Sequence, residues 1–121
     1  MKKVATIGAK PYFPPGSFTI SSFTIEPGAA SSSQLFRSKI PAGSRVVSAI
    51  ATDDHKIAVY YEHDIPGGLT VNYDIVILRE GEVIMPKSSE YRYDMIQSVV
   101  LDGAIHHLLH HYKVSRLILP N

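Results

Sequence analysis

The sequence predicts an α+β domain: an antiparallel β-meander sheet packed against one broken or two short C-terminal helices, with an irregular Pro/Ser-rich N-terminal arm. Three observations predict it. Leu69, Val71, Tyr73, Ile75 and Ile77 alternate with Thr70, Asn72 and Asp74 and then Val76 and Leu78, the period of a half-buried antiparallel strand. From Ser88 onward the apolar residues recur instead at three and four, the spacing of a helix face. Before both, Gly8 to Gln34 holds half of the eight prolines, many serines and only two charges, Lys10 and Glu26.

Residues 1–34 read as the arm, because Pro removes donors and Ser competes for local hydrogen bonds. Two β-favouring triplets, Phe18-Thr19-Ile20 and Phe23-Thr24-Ile25, imply one or two short strands within it. The segment is too apolar to be a solvated tail, so it is expected to lie over the core or over a neighbouring subunit.

Residues 35–86 read as the meander. Leu35 to Ile40 leads into a Pro41-Ala42-Gly43 turn, and Arg45 to Ala51 ends in the Asp-rich turn Thr52-Asp53-Asp54-His55. Two alternating runs follow, from Ile57 to Glu62 and from Leu69 to Leu78, separated by Pro66-Gly67-Gly68. Arg79-Glu80-Gly81-Glu82 then turns into Val83-Ile84-Met85, expected as a further strand.

Residues 88–113 read as helical. Ser88 or Ser89 can cap the first turn, with Glu90 favourable beside it. Met95, Ile96, Val99 and Val100 share one face at the helical period, whereas Leu101, Ala104, Ile105, Leu108, Leu109 and Tyr112 share the opposite one. One straight helix on one sheet cannot bury both. Either Asp102-Gly103 breaks it, since Gly costs about 1 kcal/mol in a helix interior, or a partner chain covers the second stripe. Residues 114–120 are apolar enough for a last strand, and the whole of 1–121 reads as a single domain.

Composition narrows the function classes. The chain has 121 residues, 45% apolar and 19% charged, with a net charge of +1, which describes one soluble domain able to close a core. Near-neutrality gives no polybasic footprint for general nucleic-acid or anionic-membrane binding. The longest apolar run, Ile57 to Tyr61, is far short of a membrane span, and no hydrophobic region follows the basic start. A cytoplasmic location is therefore expected. Absence of Cys removes disulfides, thiolate nucleophiles and Cys-based metal sites. No cofactor is expected.

The one skew in composition is histidine. His106, His107, His110 and His111 form two pairs at a spacing of four, and on a helix each pair would project from adjacent turns opposite the apolar stripe. Such a face can line an interface, hold an anion, or grip one metal ion. Asp102 could orient His106. A catalytic zinc needs a third ligand, to be found at His55, His63, Asp64 or a second subunit, and no His-Glu-x-x-His motif is present. Tyr91-Arg92-Tyr93 at the expected helix start offers free amides, a guanidinium and two phenol rings, which suit a phosphate carried on a ring system. Arg116, just past the helix end, could join them. The bland alternatives are packed tyrosines and surface cations.

The expected function is a non-enzymatic, small homo-oligomeric binding module. It would hold a small anionic ligand of nucleotide or phosphate type near a subunit interface, through Tyr91, Arg92, His106, His107, His110, His111 and Arg116. At the level of fold alone, a meander cradling C-terminal helices is similar to viral proteins that sequester nucleotide signals. Two alternatives stand beside it: a histidine-dependent or metal-assisted hydrolase, and a structural accessory of a larger assembly.

Overall fold

The computed structural model describes residues 12–28, 34–65 and 67–114, and within them every regular element is a strand. In chain order these are β1 (Phe18–Ile25), β2 (Gln34–Pro41), β3 (Arg45–Ala51), β4 (Ile57–Asp64), β5 (Thr70–Arg79), β6 (Tyr91–Leu101) and β7 (Ala104–Lys113). They form two antiparallel sheets, one ordered β1-β4-β3 and the other β2-β5-β7-β6. Among the described residues no helix is long and apolar enough to cross a membrane.

The expected α+β class is thereby corrected to all-β. Where one broken or two short C-terminal helices were expected, β6 and β7 make a hairpin. Asp102 (φ 52°) and Gly103 (φ 78°) occupy its two central positions, and positive φ at both is what a two-residue type I′ turn requires. A β-bulge between Met95 and Gln97 explains the helical spacing. Before it, Tyr91, Tyr93 and Met95 share the outer face; after it, Gln97, Val99 and Leu101 point into the core, so alternation breaks mid-strand. The likeness to proteins with a meander cradling C-terminal helices falls with the helices.

Other expectations change as well. Among the described residues only β3–β4 and β6–β7 are hairpins between consecutive strands; β4 and β5 lie in different sheets, so residues 35–86 are not a meander. The N-terminal segment contributes one continuous strand, β1, paired along its length with β4. Its two Phe-Thr-Ile triplets are five residues apart, an odd number, which sends Phe18 and Ile20 outward and Phe23 and Ile25 inward. Val83, Ile84 and Met85 form no strand, and Val83 and Met85 are exposed. The last strand expected over 114–120 lies, apart from the non-strand Val114, outside the described residues.

The two sheets close on one apolar layer. Ile25, Ala49, Ile57 and Val59 come from the first, and Ile75, Ile77, Val99, Leu101 and Leu108 from the second. The edge strands β3 and β6 lie side by side, and Gln97 bridges them: its Oε1 accepts the Ala49 backbone N–H at 2.9 Å. A side-chain amide thus supplies the acceptor that a ladder carbonyl would have given, at the bulge where the ladder is interrupted. At one end of the sandwich the β3–β4 and β6–β7 turns meet, joined by a hydrogen bond from His55 to Asp102.

Candidate functional site

A cavity of about 310 Å³ opens at this hairpin end, lined by Pro27, Gly28, Arg79, Leu101, Asp102, Ala104 and His106. Strand register places its polar groups. Arg79, the last residue of β5, is the cross-strand partner of His106 on β7, and Val99 pairs His106 from the other side. Direct partners share a face, so Arg79 and His106 both belong to the core side of the sheet where it runs out. Leu101 and Ala104 close the hairpin and give the cavity apolar wall, while Asp102 caps it from the turn.

His106 is the one buried polar side chain of the described core, 4% exposed. Its Nδ1–H donates to the Ala104 carbonyl at 3.0 Å, and because a carbonyl only accepts, this fixes the tautomer and leaves Nε2 as an acceptor. The Arg79 guanidinium is held by donation from Nη2 to the Gly28 carbonyl, and its backbone N–H is taken by Glu82 Oε1 at 2.6 Å. With five N–H donors, the guanidinium retains capacity for an acceptor in the cavity. Asp102 accepts a hydrogen bond from His55 Nδ1 at 2.6 Å. That bond and the Asp102 charge, with Asp54 adding to them, raise the pKa of His55. Asp102 therefore serves His55, where the sequence suggested it for His106.

The four clustered histidines do not make one face. On a strand, residues four apart share a side but stand about 13 Å from each other at about 3.3 Å per residue. His106 and His110 point inward and His107 and His111 outward, so the pairs that a helix would have made into chelates are not formed. Among the described residues no three His, Asp or Glu side chains gather closely enough to hold a metal.

Each of the others has its own setting. His107 Nε2–H donates to Glu80 at 3.0 Å while Nδ1 accepts the Ser98 hydroxyl at 2.7 Å. His110 stacks between Tyr73 and Tyr112, ring centroids 4.0 and 4.8 Å away, and burial lowers its pKa. Burial, with the Asp94 charge, pushes Tyr73 up to about 12. His111 lies between Tyr91 and Tyr93 at 5.1 and 4.8 Å, its ring nitrogens buried without a hydrogen-bond partner among the described residues. Arg92 turns back on its own loop, donating to the Ser89 and Tyr91 carbonyls. Tyr91, Arg92, His110 and His111 thus cluster at the far end of the sheet from His106. Arg116 lies outside the described residues.

Sequence reasoning found His106 but missed Arg79, Pro27, Gly28, Leu101 and Ala104. The Asp102-Gly103 dipeptide was a usable signal, since it is a strong hairpin marker that fixes the β6–β7 register. Pairing of Arg79 with His106 was not legible, because it joins residues 27 positions apart on strands that are not consecutive in the chain.

A second arrangement lies on the other sheet. Ser21 Oγ donates to His63 Nε2 at 2.9 Å, and His63 Nδ1–H donates to the Asp64 carbonyl at 3.1 Å. Comparison of the chain with protein-family models, with curated proteins and with solved structures gives no match.

Proposed function

We propose that the chain is a non-enzymatic binding module that holds a small anionic ligand in the hairpin-end cavity, close to a contact between copies of itself. The pairing of Arg79 with His106 across β5 and β7 at the cavity wall carries this reading. An anion there would meet a guanidinium already immobilised by Gly28, so little side-chain entropy is lost on binding. Apolar wall from Pro27, Leu101 and Ala104 would cover the rest of a small ligand.

Self-association is supported by the outer face of the same hairpin. Val100 and Ile105 are direct cross-strand partners, exposed by 63% and 42%, and beyond the intervening Ser98–His107 pair the exposed Met95 and Leu35 lie in a second apolar row on the same face. Apolar residues gathered on a sheet face call for cover, and a second copy of the same face supplies it.

Thermal-shift titration with sulfate, inorganic phosphate and short dicarboxylates tests the ligand. A binder at 100-fold its Kd should stabilise the fold by roughly 2.7 kcal/mol, and Arg79→Gln should abolish the shift. If none of these anions raises the melting temperature, the reading fails.

One observation favours the histidine-dependent hydrolase instead. In the Ser21–His63 pair a hydroxyl faces a ring nitrogen whose tautomer is set by a backbone carbonyl, the relation of a nucleophile to its base. Covalent labelling of Ser21 by a fluorophosphonate, lost in His63→Gln, would favour that alternative; an unlabelled chain would set it aside.

A further inference from the structure

We infer that the cavity's affinity for its anion is gated by His55 acting through Asp102: protonated His55 opens the site to the anion, and neutral His55 closes it. This inference rests on the ligand reading above and concerns the same cavity.

The argument is one of local charge. Arg79 and Asp102 both line the cavity, and their charges oppose each other. A bare Asp102 carboxylate at the mouth would repel any anion drawn by Arg79. His55 sits directly on that carboxylate, at 2.6 Å, from a turn belonging to the other sheet. Glu82, whose carboxylate accepts the Arg79 backbone N–H, adds the same charge in both states, so protonation of His55 raises the charge felt at the cavity by one unit. The effect scales with the charge of the anion, so a divalent anion reports it most strongly.

The geometry is specific to this coupling. His55 (φ 65°) and Asp102 (φ 52°) are the two non-glycine residues with positive φ among the described residues, and each would be relieved by glycine. Each takes the left-handed conformation of its turn, and the two turns thereby bring the side chains together at the cavity mouth. The charged groups that bear on His55 are Asp102 from the facing turn and Asp53, Asp54 and Lys56 from its own. Asp54 and Lys56 lie 3.7 Å apart and offset each other. The pKa of His55 is raised above its ordinary value, chiefly by the hydrogen bond to Asp102 and then by that residue's charge. His106, the other titratable ring at the cavity, is held by the Ala104 carbonyl and is the competing origin of any pH dependence.

The experiment is calorimetric titration of sulfate into the intact chain at low ionic strength, from about pH 5.5 to about pH 8.5, a range that spans the ordinary histidine value of about 6.5. Sulfate keeps its double charge throughout. Wild type should lose affinity by about tenfold across the range, the effect of one unit charge on a divalent anion at roughly 6 Å through water. His55→Asn keeps a donor for Asp102 and a residue tolerant of positive φ but cannot titrate, so its Kd should stay at the wild-type high-pH value. His55→Gly, free of backbone strain, is the second variant should Asn fail to fold, and it too should be flat. A slope that persists in these variants overturns the gate. Sulfate binding that is pH-independent in wild type also overturns it, while leaving the anion site itself standing. Absence of sulfate binding at every pH overturns both.

Discussion

His55 and Asp102 join the two sheets through a single hydrogen bond of 2.6 Å between hairpin turns, each residue in a left-handed backbone conformation. The β3–β4 turn is shaped for this. Thr52 N–H donates to the Lys56 carbonyl and His55 N–H to the Thr52 carbonyl, while the Thr52 hydroxyl bonds Asp54, which leaves the His55 ring projecting at the loop's left-handed position.

The bond makes stability depend on pH. The pKa of His55 is raised in the folded chain, chiefly by its hydrogen bond to Asp102 and then by that residue's charge. Its contribution is therefore fully present below the unfolded value of about 6.5 and is lost as pH rises through the folded pKa. Both side chains are exposed, so the effect is small and shrinks with salt. At low ionic strength the melting temperature of His55→Asn should match wild type at about pH 8.5 and fall below it at about pH 5.5, either side of the ordinary histidine value. A constant difference across that range would show that the pair does not titrate.

Strands β3, β4 and β5 stand where alternation and turn residues put them, at Arg45–Ala51, Ile57–Asp64 and Thr70–Arg79. Their sheet partners were not legible, because β4 pairs with β1 and β3, and β5 with β2 and β7, across turns that switch sheets. The C-terminal pair was misread for two physical reasons. The bulge at Met95 and Gln97 shifts which residues face inward, and four-residue spacing among the histidines is compatible with both a helix turn and an even-numbered strand repeat. Tyr91, Tyr93, Val99 and Val100 nevertheless favour a strand, and Asp102-Gly103 favours a hairpin over a helix break. Of the candidate site, His106 was visible as a residue type, but its partner Arg79 depended on tertiary register.

Leu108 and Ile105 separate core from contact surface. Leu108 is fully buried between the sheets, whereas Ile105 is exposed on the outer face. Leu108→Ala should cost about 2–5 kcal/mol in denaturant unfolding, through lost transfer energy and the cavity left behind. Ile105→Asp should stay folded by circular dichroism and lower the mass measured by light scattering. If Ile105→Asp leaves the mass unchanged, self-association through this face is wrong.

Gln97 holds the two sheets together at their touching edges. Its Oε1 satisfies the Ala49 backbone N–H, and Ala49 is fully buried. Gln97→Leu would leave that donor without an acceptor at a cost of about 1–3 kcal/mol. The Ala49 amide should also exchange faster with deuterium than in wild type. Unchanged stability and unchanged Ala49 protection would show that another group takes over the bond.

His110 should act in the sense opposite to His55. Its ring is stacked between Tyr73 and Tyr112, and burial lowers its pKa, with His111 adding to the effect and the charges of Asp94 and Asp74 opposing it. A depressed folded pKa means that the contribution is present above the unfolded value of about 6.5 and is lost as pH falls through the folded pKa. Tyr73, pushed up to about 12, stays protonated over that range and does not confuse the measurement. His110→Phe preserves an aromatic ring between the tyrosines but cannot be protonated. Between about pH 7.5 and about pH 5, on either side of the ordinary histidine value, the melting temperature of wild type should fall further than that of His110→Phe. Titrations shared by the two chains cancel in this difference, so parallel curves would mean that His110 is protonated as readily in the fold as in the unfolded chain.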